Sequence, residues 1–160
     1  MIKDFNADSF RLFDDQWALV TAGQKDRFNT MTVSWGGLGT LWGKPVATVY
    51  VKPVRYTWNF LNDYRYFTIS FFDEKYRKDL LTLGSKSGLH GDKIALTDLH
   101  PFECRESMAF QEANTILYCR KIYSQDLDKS RMPEDVIETY YSKEAPHRMF
   151  IGEVEEIFRY

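Results

Sequence analysis

Apolar residues recur along this chain in short runs of period two, interrupted by stretches of helical period. Trp17–Gly23 is mostly apolar and Asn29–Trp35 alternates, with the polar Gln24–Arg27 between them, so the pair predicts an antiparallel hairpin. Gly36–Gly43 reads as a Gly-rich connection. Pro45 opens a third strand, Val46–Lys52, apolar at nearly every position as in a strand buried on both faces, and Pro53 ends it. Thr57–Asp63 predicts a short helix with Thr57 as its N-cap, and Tyr66–Phe72 a fourth strand. Glu74–Leu83 predicts a helix on which Tyr76, Leu80 and Leu83 fall at helical spacing and which Gly84 stops.

Further along, Ser85–Lys93 reads as a loop and Leu96–Glu106 as a connector containing Pro101. Asn114–Gln125 predicts a long strand, Asp128–Arg131 a turn, Pro133–Tyr140 a helix with the proline in its first turn, and Met149–Phe158 the last strand. Phe5–Asp15 shows no clear period and reads as a leader. About six or seven strands, spaced first by tight turns and then by two or three helices, predict a mainly β fold: a closed or nearly closed antiparallel barrel with helical insertions. Strict alternation of strand and helix, the mark of a parallel sheet, is missing.

With 160 residues the chain is long enough for a real core, and no linker, repeat or low-complexity tract divides it, so a single domain over 1–160 is expected. Aromatic residues make up 16 %, which favours β-structure and large apolar contacts, a subunit interface among them. The 21 basic and 23 acidic residues leave a net charge of −2 without blocks of one sign, which argues against a nucleic-acid partner. Lys75–Lys78 is a local basic turn and reads as a solvated helix face. No apolar run follows the N-terminus or reaches membrane-spanning length, so a cytoplasmic protein with free Cys104 and Cys119 and no membrane partner is expected.

The scattered His90, His100 and His147 lack metal-ligand spacing. Gly37-x-Gly39-x-x-x-Gly43 is one residue too long for a dinucleotide fingerprint and precedes a strand instead of a helix. Gly84-Ser85-Lys86-Ser87-Gly88 is not a nucleophile elbow; it is either an ordinary helix-ending loop or a turn that assists a phosphate through N–H groups and hydroxyls. Thr30, Thr32 and Ser34 alternate on one strand face, which is either a polar outer face or a surface small enough to let a flat polar ring approach. Arg55-Tyr56-Thr57 opens a helix, where backbone N–H groups, a hydroxyl and a guanidinium suit a phosphate; a simple cap with a surface arginine is the alternative.

These segments carry a family resemblance. Asn29-x-Met31-Thr32-x-Ser34-Trp35-Gly36, then Gly43-Lys44-Pro45-Val46-Ala47-Thr48-Val49-Tyr50-Val51-x-Pro53-x-Arg55-Tyr56-Thr57, resembles flavin reductase-like proteins of the flavoredoxin type. Ser85…Asp92-Lys93 and His147–Val154 are similar to that family as well, so the resemblance runs from about Trp17 to Phe158. It implies a split β-barrel of Greek-key antiparallel type that binds flavin mononucleotide (FMN) as a homodimer, with the flavin near the subunit interface. It also implies cofactor-binding roles: Asn29, Thr30, Met31, Thr32, Val33, Ser34 and Trp35 for the ring and ribityl chain; Arg55, Tyr56 and Thr57, helped by Ser85 and Lys93, for the phosphate; Lys52 as a further cofactor contact; and His147 near the flavin or the interface. The implied activity is hydride transfer from NADH or NADPH to flavin N5, with no side-chain acid or base named and no metal. A flavin-carrying electron carrier reduced by a redox partner protein is the alternative, and a barrel that has lost its flavin is a third.

Overall fold

The computed structural model describes residues 1–160. Strands β1 (Ala18–Gln24) and β2 (Arg27–Val33) form the expected hairpin, with Thr21 opposite Thr30. β3 (Gly36–Leu41) and β4 (Lys44–Val51) form a second. Helix α2 (Tyr56–Asp63) then leads to β5 (Tyr66–Phe71), which returns to the free side of β1. The long strands β8 (Thr115–Asp126) and β9 (Arg148–Arg159) complete one antiparallel sheet in the order β2-β1-β5-β8-β9-β4-β3. The return of β5 beside β1 is a Greek-key crossing. Because β2 approaches β4 where the sheet curls round, the seven strands make a split β-barrel with its seam along the unpaired edge of β2.

Alternation along the strands supplies two cores. Val20, Met31, Val49, Phe67, Ile69, Leu117 and Phe150 point into the barrel, where Phe60 and Leu61 of α2 plug one end. Leu19, Ile116 and Tyr118 point outward and are covered by Leu80 and Leu83 of α3 (Arg77–Ser85) and by Ala109 and Phe110 of a separate hairpin, β6 (Pro101–Cys104) with β7 (Ser107–Phe110). Between sheet and cover lies a row of buried hydroxyls. Thr21 and Thr30 share a hydrogen bond of 2.8 Å, and Thr68, opposite Thr21 on β5, donates to the Met108 carbonyl at 2.6 Å.

Several boundaries differ from the sequence reading. Gly36–Leu41 is a strand, not a connection; its alternation is hidden by glycines, and Trp42 and Gly43, both at positive φ, form the tight turn to β4. The leader contains helix α1 (Ser9–Asp14), capped by the Asp8 side chain and too short to show a period. Pro101–Phe110 is the β6–β7 hairpin, with Arg105 in the left-handed region at its turn, so there are nine strands. Helix α3 runs through Gly84 to Ser85, and Pro133 is the N-cap of α4 (Glu134–Tyr140), not part of its first turn. The basic turn is not wholly solvated, since the Arg77 guanidinium lies 3.3 Å from the centroid of the Trp17 ring. Cys104 and Cys119 are free and buried, and no helix is long and apolar enough to cross a membrane.

Candidate functional site

Segments remote in sequence meet at the N-terminus of α2. Pro53 ends the run after β4, and the chain turns on the Arg55 N–H to Lys52 carbonyl bond before the helix begins. Arg55, not Thr57, is the N-cap; its backbone is extended and its side chain makes no capping bond. Thr57 lies one residue inside the helix and is buried, where its hydroxyl accepts a hydrogen bond of 2.8 Å from the amide of Asn29. The first-turn N–H groups of Tyr56 and Thr57 have no partner within the helix.

A cavity of about 280 Å³ opens there, lined by Asn29, Arg55, Tyr56, Thr57, the run Gly84–Gly88 and Lys93. The Arg55 guanidinium donates to the Gly84 carbonyl at 2.9 Å, and the buried Lys93 ammonium donates to the carbonyls of Leu83 at 3.0 Å and Lys86 at 3.1 Å. Both cations keep further N–H groups, and neither has a carboxylate partner. No acidic residue lines the cavity. Burial lowers the guanidinium below its ordinary value, and burial with the adjacent Arg55 charge brings Lys93 down to about 8. Two cations therefore pay a desolvation cost that only helix carbonyls offset.

The hydroxyl face of β2 is not open. The Thr30 hydroxyl is buried against Thr21 and the Val20 carbonyl, and that of Thr32 donates to the Leu80 carbonyl of α3. Met31 and Val33 point into the barrel core. What β2 offers is its unpaired edge, a row of backbone N–H and C=O groups. Ser34 and Trp35 lie just past its end, beside a second cavity of about 650 Å³. There the Trp35 ring is 5.0 Å from that of His147, and the Tyr141 hydroxyl is 2.7 Å from Nδ1 of His147. Burial, assisted by the Lys52 charge, lowers His147 to about 4, so the imidazole is neutral at pH 7. Lys52 bonds to Glu144 and lies 5.8 Å from the centroid of the Tyr141 ring.

The expected residues thus divide between two ends of β2. Asn29, Arg55, Tyr56, Thr57 and Lys93 converge at one, with Ser85 at the rim, its hydroxyl turned back to the α3 carbonyls of Leu81 and Thr82. Ser34, Trp35, Lys52 and His147 gather at the other. Lys86, Ser87 and Gly88 also line the first cavity; their signal was the Gly- and Ser-bearing run itself. Phe10, Phe13, Asp14, Tyr50 and Tyr141 line the second, and no local pattern in the sequence marks them.

A split barrel with a cationic cavity at a helix N-terminus describes a class of protein, and the comparisons give it a family. Residues 10–159 match the flavin reductase like domain, so the chain belongs to that family. Among solved structures it is similar to an FMN-binding protein from Thermus thermophilus with bound 1-cyclohex-2-enone (TM-score 0.73, 19 % identity, 97 % of this chain and 79 % of that one). It is also similar to flavoredoxin from Methanosarcina acetivorans (0.71, 19 %, 98 % and 74 %) and to nitrilotriacetate monooxygenase component B from Bacillus cereus (0.70, 19 %, 89 % and 68 %). None of the proteins with curated descriptions is a significant match.

Proposed function

We propose that this protein binds FMN and is an NAD(P)H-dependent flavin oxidoreductase. The observation that carries the reading is the cavity at the α2 N-terminus, where Arg55 and the buried Lys93 stand without a counter-ion and no carboxylate competes. A phosphate monoester, nearly a dianion at pH 7, fits that donor set. Arg55 binds it through its free N–H groups, Lys93 through its remaining N–H, and Tyr56 and Thr57 through first-turn amides. Asn29 and Thr57, locked to each other, shape the wall.

From Asn29 to Ser34 is five residues of extended chain, about 17 Å. That length would span a phosphate and a five-carbon chain and leave room for a flat ring beside the edge of β2. The backbone groups of that edge would hydrogen-bond the polar side of the ring, and Trp35 with neutral His147 would wall the Ser34 end of the site. Bound flavin supplies the capacity to take a hydride from a nicotinamide and release electrons to an acceptor. The chain binds and orients it, and the packed aromatics beside Trp35 exclude water. The exposed Trp35 and Tyr140 beside this end, together with the family resemblance, support a homodimer closing over the site.

The test is an absorption spectrum after FMN is added and excess removed, followed by anaerobic NADH and then NADPH. Retained yellow that bleaches with either nicotinamide is the expected outcome. Retained yellow that resists both would favour an electron carrier, the reading that the likeness to flavoredoxin keeps open. Arg55→Ala should weaken FMN binding by about ten- to hundredfold, the loss of one charged hydrogen bond of roughly 1.5–3 kcal/mol. Unchanged affinity would remove the phosphate from this cavity.

A further inference from the structure

The second cavity differs in kind from the first. Its walls are Phe10, Phe13, Trp35, Tyr50 and Tyr141, and Asp14 is the one charged side chain on it. At about 650 Å³ it has room for a small ring system. Flat aromatic walls favour a flat occupant, and a lone carboxylate with no cation on the lining disfavours an anionic one.

Ser9, Asp14, Ser34 and Tyr141 bring polar groups to this lining, and His147 stands behind Tyr141. Tyr141 is buried, and its hydroxyl and His147 Nδ1 are 2.7 Å apart. A neutral imidazole offers two tautomers. With the proton on Nδ1, His147 donates to the Tyr141 oxygen and leaves the phenolic proton for an acceptor atom in the cavity.

We infer that this cavity is the binding site of an electron-accepting substrate of the quinone class, a planar uncharged ring whose carbonyl oxygen accepts a hydrogen bond from the Tyr141 hydroxyl. This deepens the proposed function and rests on it for the source of electrons. The overall change balances: the reduced nicotinamide gives a hydride and becomes oxidised, the quinone gains two electrons and two protons to become a hydroquinone, and solvent supplies the second proton. Tyr141 delivers that proton to the carbonyl oxygen it holds and is reprotonated from solvent past His147. Trp35 acts as a positioning wall.

The test is calorimetric titration of the protein with duroquinone, which is neutral and resists addition by thiols, first without flavin and then with FMN added. Saturable binding in both forms is expected. Tyr141→Phe should weaken it about tenfold and return the carbonyl stretching band of bound quinone toward its free position. Trp35→Leu, at a partly exposed residue, should weaken it without moving that band. No saturable binding, or equal affinity and an unchanged band in Tyr141→Phe, would overturn the inference. Loss of quinone binding on adding FMN would also overturn it, by making the cavity the bed of the flavin ring. Failure of FMN to bind is read separately in the same titrations and would sink the flavin reading alone.

Discussion

Lys93 is the residue whose burial the sequence shows least. The sequence places it in a loop and, by resemblance, near a phosphate, yet its ammonium is buried on two carbonyls and its pKa is brought to about 8. The folded value lies below the ordinary 10.5, so between about 8 and 10.5 the unfolded chain holds a proton that the folded one has released. Stability from this group therefore rises with pH across that window, and below 8 the full cost of the buried charge is present. A bound anion reverses the preference. From pH 7.5 to 9.5, where the FMN phosphate stays a dianion, affinity should hold to about pH 8 and then fall by up to about tenfold per unit. In Lys93→Met affinity should be low and flat with pH; a wild-type profile flat to 9.5 would contradict this account. Gly88 lines the same cavity. A Cβ there would stand 2.1 Å from Oδ1 of Asn29, so Gly88→Ala must displace that side chain and break its bond to Thr57. A loss of about 1–3 kcal/mol is expected from the urea midpoint, with weaker FMN binding beside it.

Among the elements, β3 shows how packing overrides composition. Its glycines suggest a loop, but Gly36 lets the chain pass under Phe13, with the site of a Cβ 2.6 Å from both that ring and the Thr48 carbonyl. Backbone pairing with β4 then makes the segment a strand. Gly36→Ala should push α1 off β3 and cost about 1–3 kcal/mol. Amide hydrogen exchange should then quicken in Ser9–Asp14 and Gly36–Leu41 before the rest of the sheet; uniform protection would mean that the ring shifts without cost. Helix α3 couples in another way. Its C-terminal carbonyls hold Arg55 and Lys93, and its Leu80 carbonyl takes the Thr32 hydroxyl from β2. One short helix therefore ties the cationic cavity to the strand that forms the seam.

For the whole molecule, the barrel was legible where alternation or punctuation was intact. The β1–β2 hairpin and the long β8 and β9 followed from their apolar runs, and α2 from Pro53 and the helix-opening Arg55-Tyr56-Thr57. Four elements escaped because their signal was local and weak: glycine-rich β3, six-residue α1, and β6 and β7 of the hairpin behind Pro101. The cationic cavity was legible through motifs that each hinted at a phosphate. The quinone-class cavity was not, because α1, the link from β2 to β3, β4 and the segment around Tyr141 each contribute residues that pattern alone would assign to core or surface. Association of two copies belongs to this scale too. Sedimentation at micromolar concentration should give two chain masses, and a stable monomer would rule out the proposed homodimer.

The unpaired cations beside α2 also bear on the lifetime of the chain. Without an anion the fold carries a standing electrostatic burden, which any tightly held phosphate relieves in proportion to the logarithm of its concentration over its dissociation constant. The supply of that ligand then sets how often the chain opens to a protease, so abundance would track supply with no change in synthesis.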